Sequence, residues 1–197
     1  VKGVMGFAKK RSMPPISKVT WEKWFQKQFV PTAKSGRKVY IFIDELINYN
    51  EAEIGITTVQ MLDKLGYQVE YVKHTQSGRP FLSKGLLEEA REFAKENIAI
   101  FKDIISDETP LVGVEPSAIL TFRDEYPDLV RGEEKEAAKA IAANTFMIEE
   151  FLANELDAGN IDLSMFKEQK SLIKLHGHCQ QKALSSLTPV KKILTKM

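Results

Sequence analysis

The sequence predicts an α/β fold: a three-layer, doubly wound sheet of about four parallel strands with helices on both faces. Two observations carry that prediction. From Lys38 onward, short apolar runs alternate with longer amphipathic segments, the rhythm of parallel strands joined by right-handed helical crossovers. The first run, Val39-Tyr40-Ile41-Phe42-Ile43, is continuously apolar, as a strand covered on both faces requires.

The elements follow in chain order. Residues 1–37 read as a linker arm: the basic run Lys9-Lys10-Arg11-Ser12-Met13 meets Pro14-Pro15, which no helix crosses. Thr20 then caps a short helical segment, Trp21 to Phe25, whose aromatics share one face and would dock on a neighbour. The α/β domain occupies 38–197, opening with a strand from Lys38 to Ile43. Glu53 to Leu65 carries a helical apolar stripe, with Gly66 at its C-cap. Tyr67 to Val72 reads as the second strand, and Lys84 to Ile105 as a long amphipathic helix. Pro110 to Val114 gives a third strand and Glu133 to Leu156 an alanine-rich helix. Leu172 to Leu175 reads as the fourth strand, and Gln181 to Met197 as a last helix. Both chain ends read as cuts through a longer polypeptide, and a sheet cut at one edge would favour dimerisation.

Composition excludes several functions. The 28 basic and 27 acidic residues leave a net charge of +1, without the clustered basic excess of a nucleic-acid-binding protein. No apolar run reaches the length of a membrane span and no signal peptide opens the chain. The single cysteine, Cys179, permits no internal disulfide, so a cytoplasmic location is expected, extending to the inner face of the membrane as a peripheral protein.

In such a sheet, ligands sit beyond the carboxyl ends of the strands, and polar residues gather there. Asp44 and Asn48 follow the first strand; His74, Ser77, Gly78, Arg79 and Lys84 follow the second. Glu115, Ser117 and Arg123 follow the third, and His176, His178, Cys179, Gln181 and Lys182 the fourth. All three histidines and the only cysteine lie in these loops. Imidazole and thiolate are donors for zinc and iron, but His176-x-His178-Cys179 needs ligands from elsewhere to complete a site. A catalytic thiolate at Cys179 is an alternative, and a structural ion pair among Arg123, Asp124 and Glu125 is another local reading. Arg79, Lys84 and the helix N-termini would equally suit a carboxylate or phosphate.

The order of these loops resembles a known family. His176-Gly177-His178-Cys179-Gln180-Gln181-Lys182-Ala183-Leu184 is similar to the His-Gly-x-Cys-His-Gln-Lys-Ala-Leu motif of the cysteine-rich CCG family. Gly78-Arg79-Pro80 resembles the tail of its Cys-Cys-Gly-Arg-Pro segment, Glu115-Pro116-Ser117 its Glu-Pro-Ser-Cys element, and Gly6 to Pro14 its preceding linker. The family includes iron–sulfur components of glycolate and glycerol-3-phosphate dehydrogenases, lactate-utilisation proteins and a component of heterodisulfide reductase. The resemblance implies a non-catalytic, first-repeat domain that supports electron transfer in an FAD-linked oxidoreductase of a 2-hydroxy acid such as lactate or glycolate. It implies a 4Fe–4S cluster or zinc in the full-length protein, FAD in a neighbouring domain, and as partners a flavin-binding domain, a ferredoxin-like domain and a second CCG repeat. The pattern also departs from the family's: Gln76-Ser77 replace the paired cysteines, Ala118 the cysteine after Pro-Ser, and Gln180 a histidine. Cys179 is then the one metal ligand this half retains, to be completed by a second repeat. Otherwise the domain is an interdomain scaffold or a binding module for small anions.

Overall fold

The computed structural model describes residues 14–167 and 171–196, with Gly6, Ala8, Lys10 and Ser12. Lys9, Arg11 and Met13 of the basic run, like Met197, lie outside the described residues.

Four strands, β1 (Lys38–Phe42), β2 (Gln68–Glu70), β3 (Leu111–Gly113) and β4 (Thr145–Met147), form one parallel sheet in the order β2-β1-β3-β4. Val39 lies opposite Val69, Ile41 opposite Val112, and Val112 opposite Phe146. Among the described residues there are eleven α-helices: α1 (Trp21–Lys27), α2 (Glu45–Tyr49), α3 (Ala52–Lys64), α4 (Arg79–Leu82), α5 (Leu87–Phe101), α6 (Pro116–Thr121), α7 (Tyr126–Leu129), α8 (Gly132–Ala143), α9 (Ile148–Asp157), α10 (Cys179–Leu184) and α11 (Thr188–Lys196).

The period-two alternation of β1 divides the core in two. Val39, Ile41 and Ile43 join Trp21, Val59, Leu62, Phe151 and Leu152, so α1, α3 and α9 cover one face. Phe42, with Tyr40 beside it, joins Ala94, Phe101, Ile119, Phe122 and Ile141, so α5, α6 and α8 cover the other. This is the three-layer arrangement expected from the sequence. The tryptophans of the arm find their neighbour within the chain: Trp21 is fully buried and Trp24 nearly so. Trp21 stacks on Phe25 at 4.9 Å and meets Tyr71 edge-on at 5.0 Å.

Three expectations need correction. The fourth strand is not Leu172 to Leu175, which is irregular and solvent-facing, with Leu172 91% exposed. It is β4, within the span read as a single helix from Glu133 to Leu156. Helix α8 ends at Asn144, whose side-chain amide donates back to Ala140 O at 3.0 Å. Thr145-Phe146-Met147 then pairs with β3 before α9 begins. A three-residue strand between two helices leaves the three- and four-residue spacing of Ala137, Ile141, Thr145, Ile148 and Leu152 intact, so periodicity does not reveal it. The long helix from Lys84 begins instead at Leu87, because Gly85 has φ +74° and ends the preceding turn. The last helix is split into α10 and α11 at Ser185-Ser186-Leu187.

Candidate functional site

The chain leaves β1 for β2 on one side and later crosses to β3 on the other. The strand order therefore reverses between β1 and β3, and the crevice of this sheet lies beyond their carboxyl ends. Asp44 after β1 and Glu115 after β3 stand at that point.

Asp44 caps α2: its Oδ1 accepts from Leu46 N at 2.8 Å and Ile47 N at 3.1 Å. It is 3% exposed. Burial pushes its carboxyl from the ordinary 3.8 up to about 6, against the two backbone hydrogen bonds, with Glu115 and Glu45 adding repulsion. Glu115 caps α6, Oε2 accepting from Ala118 N and from the Ser117 hydroxyl, both at 2.6 Å. Its Oε1 lies 3.7 Å from His178 Nε2, which brings the β3 and α10 loops together.

The loop after β2 forms the next wall. Ser77 is fully buried; its hydroxyl accepts from Arg79 N at 3.2 Å and donates to Glu45 Oε1 at 3.5 Å. Tyr126 donates to Ser77 O at 3.0 Å, while Asn97 donates to Gln76 O at 2.9 Å and to the Tyr126 hydroxyl at 2.8 Å. Gly78, at φ +74°, makes the left-handed turn into α4. The Arg79 guanidinium pairs with Glu125, both side chains 21% exposed. Arg123 pairs with Glu150 at 2.7 Å, so neither Asp124 nor Glu125 is its partner.

The remaining sequence-predicted residues divide. His178 caps α10, its Nδ1 accepting from Gln180 N at 3.2 Å. Cys179 is exposed at the start of that helix. Gln181 is buried and donates to Glu149 Oε1 at 2.6 Å. His176 and Lys84 are exposed on the surrounding loops, and Lys182 is exposed on α10. Asn48 turns to another task, its Oδ1 accepting from Glu22 N at 3.1 Å and anchoring α1. His74 is internal: Nε2 accepts from Ile43 N at 3.2 Å, Nδ1 donates to Thr75 O at 2.8 Å, and the ring stacks on Phe42 at 4.3 Å. Burial lowers its pKa to about 4 against the pull of the Thr75 hydrogen bond, so the ring is neutral with both nitrogens engaged.

Sequence reasoning missed Glu149, Glu150 and Ser185. Glu149 and Glu150 fall in the first turn of α9, where acids favour a helix start, but that start is hidden inside the longer helical stripe. The donors here do not fit an iron–sulfur cluster or zinc on their own. Cys179 is the only thiol, Ser77 and His74 have their donor atoms engaged, and Ala118 has none to offer. Among the described residues no group of three or more His, Cys, Asp or Glu is placed to hold a metal ion.

Comparison with known proteins is consistent with the resemblance read from the motifs: the chain is similar to lactate utilization proteins and to dehydrogenases or their components. Lactate utilization protein A of Geobacillus thermodenitrificans is 30% identical over 131 residues, 65% of this chain and 53% of its own length. D-2-hydroxyglutarate dehydrogenase of Escherichia coli is 28% identical over 133 residues, 68% of this chain and 12% of that protein. A component of the anaerobic glycerol-3-phosphate dehydrogenase of Escherichia coli is 24% identical over 128 residues, 64% of this chain and 32% of that component. The chain thus spans about half of the first relative and less of the other two. No family model and no solved structure matches it. Among the described residues no helix is long and apolar enough to cross a membrane.

Proposed function

We propose that this chain is a non-catalytic, electron-transfer-associated domain of an FAD-linked oxidoreductase acting on a 2-hydroxy acid of the lactate or glycolate type. Cys179 then contributes one thiolate to a metal centre completed by donors outside this chain, such as those of a second CCG repeat. The observation that supports this reading is the placement of the only thiol, exposed beside the switch-point loops with no companion ligand set among the described residues. A flavin-binding domain and a ferredoxin-like domain would be its partners, and their contact would cover the crevice mouth. The anion-binding alternative is disfavoured by the two guanidiniums nearest the crevice, since Arg79 and Arg123 are each paired with a glutamate.

The test is anaerobic iron and zinc analysis of the longer polypeptide that the proposal implies, with and without Cys179→Ser, beside the 197-residue chain alone. Metal in the parent, lowered by the substitution and absent from the shorter chain, is the expected result. Metal unchanged by Cys179→Ser would remove the cysteine from the centre and leave this domain as scaffold.

A further inference from the structure

Four donors along and just beyond α10 reach four glutamates. His178 Nε2 lies 3.7 Å from Glu115 Oε1, and Gln180 Nε2 donates to Glu125 Oε1 at 3.5 Å. Gln181 Nε2 donates to Glu149 Oε1 at 2.6 Å, and the Ser185 hydroxyl donates to Glu150 Oε1. The acceptors come from three places: Glu115 caps α6, Glu125 precedes α7, and Glu149 and Glu150 open α9. Two of them are backed by cations, Arg79 on Glu125 and Arg123 on Glu150. Gln181 is 3% exposed, whereas Cys179 and Lys182 face solvent. The helix is thus fastened by its polar side chains and leaves its thiol outward.

We infer that this carboxylate cradle, and not a metal, seats α10 and presents Cys179 at the crevice. The loops that a bound iron or zinc would tie together are already tied by carboxylates. Glu115 joins the β3 loop to α10, and Glu125 joins the β2 loop, through Arg79, to the same helix. Hydrogen bonds to ionised acceptors are the stronger kind, and removing a donor leaves a part-buried carboxylate without its partner. Glu149 is the sharpest case: burial raises its pKa against the hydrogen bond from Gln181, with Glu150 adding repulsion.

The cradle rests on the proposed function only for why presenting Cys179 matters. Hydrogen exchange is followed in the 197-residue chain, untreated, with EDTA and with added zinc, and in Gln181→Ala. The cradle predicts that neither EDTA nor zinc changes exchange of the 179–185 amides. It predicts that Gln181→Ala speeds that exchange by about tenfold or more while the amides of β1 and β3 stay protected. Acceleration by EDTA, or unchanged exchange in Gln181→Ala, would overturn it. Should Gln181→Ala fail to fold, the unsubstituted chain with EDTA decides between the two. A parent protein without metal would end the proposal for Cys179 and leave this result standing.

Discussion

Replacing Asp44 by asparagine should stabilise the domain at neutral pH, although Asp44 is an N-cap. The carboxyl is raised from 3.8 to about 6 by burial, then by Glu115 and Glu45, against the opposing amides of Leu46 and Ile47. Its protonated form is therefore the one the folded state favours. The associated stability is fully present below pH 3.8 and is lost as pH rises through about 6. At about 1.36 kcal/mol per pH unit, the ionised form costs roughly 3 kcal/mol at pH 8. Asparagine keeps the oxygen that caps Leu46 and Ile47 and ranks with aspartate as an N-cap. Losing the charge at the start of α2 costs about 0.3–1 kcal/mol. The net gain for Asp44→Asn is then roughly 2 kcal/mol at pH 8, a rise of about 4–8 °C in melting temperature for a chain of this size. Denaturant unfolding of both proteins from pH 4 to pH 8 tests this, because all other titrations are common to the pair. The stability difference should shrink towards zero or slightly reverse by pH 4. A variant less stable at pH 8, or a difference independent of pH, would refute the reasoning.

Two further outcomes follow from the packing. Gly55→Ala should destabilise by about 1–3 kcal/mol or more, since a Cβ there would lie 2.6 Å from Trp21 Cδ1 and 2.7 Å from Ile47 Cγ2; a melting temperature equal to that of the unsubstituted protein would show that α1 is not seated as described. His74 should not titrate between pH 5.5 and 8 in histidine NMR spectra, because its pKa lies at about 4, and a midpoint near 6.5 would place the ring in solvent.

The strand rhythm and the switch-point loops are legible in the sequence because they rest on local features. A buried apolar run such as Val39 to Ile43 declares a strand, and polar residues after it declare the loop. What stays hidden depends on pairing. Thr145 to Met147 is a strand through its register with β3, and three residues carry too little pattern to interrupt a helical stripe. Leu172 to Leu175 has strand composition without a strand's partners, so propensity misleads where register decides. At the site, residue type locates the crevice but not the role. Asn48 and His74 are grouped with it by position in sequence, yet Asn48 turns its Oδ1, and His74 both ring nitrogens, to the fold. The tryptophans are legible as anchors, while their docking surface, α3 with Tyr71, is not.

The charge balance of the crevice narrows what can enter it. Asp44, Glu45, Glu115 and Glu125 surround the switch point, and one carboxylate oxygen each of Glu45 and Glu125 is buried without a partner among the described residues. Burial also raises the Glu125 carboxyl, against the nearby Arg79 charge. A free phosphate or carboxylate would have to displace Glu125 from Arg79 and then sit beside the remaining acids, so attraction at one point meets repulsion at several. The sequence alone offers Arg79 as a cation open to a carboxylate or phosphate, a natural reading of Gly78-Arg79-Pro80 in isolation. With the ion pair formed, the same residue closes the wall, while the Cys179 thiol faces outward together with Lys84, His176 and Lys182. On the proposed function, what docks on this face tolerates these acids and brings a metal that takes the Cys179 thiolate as a ligand.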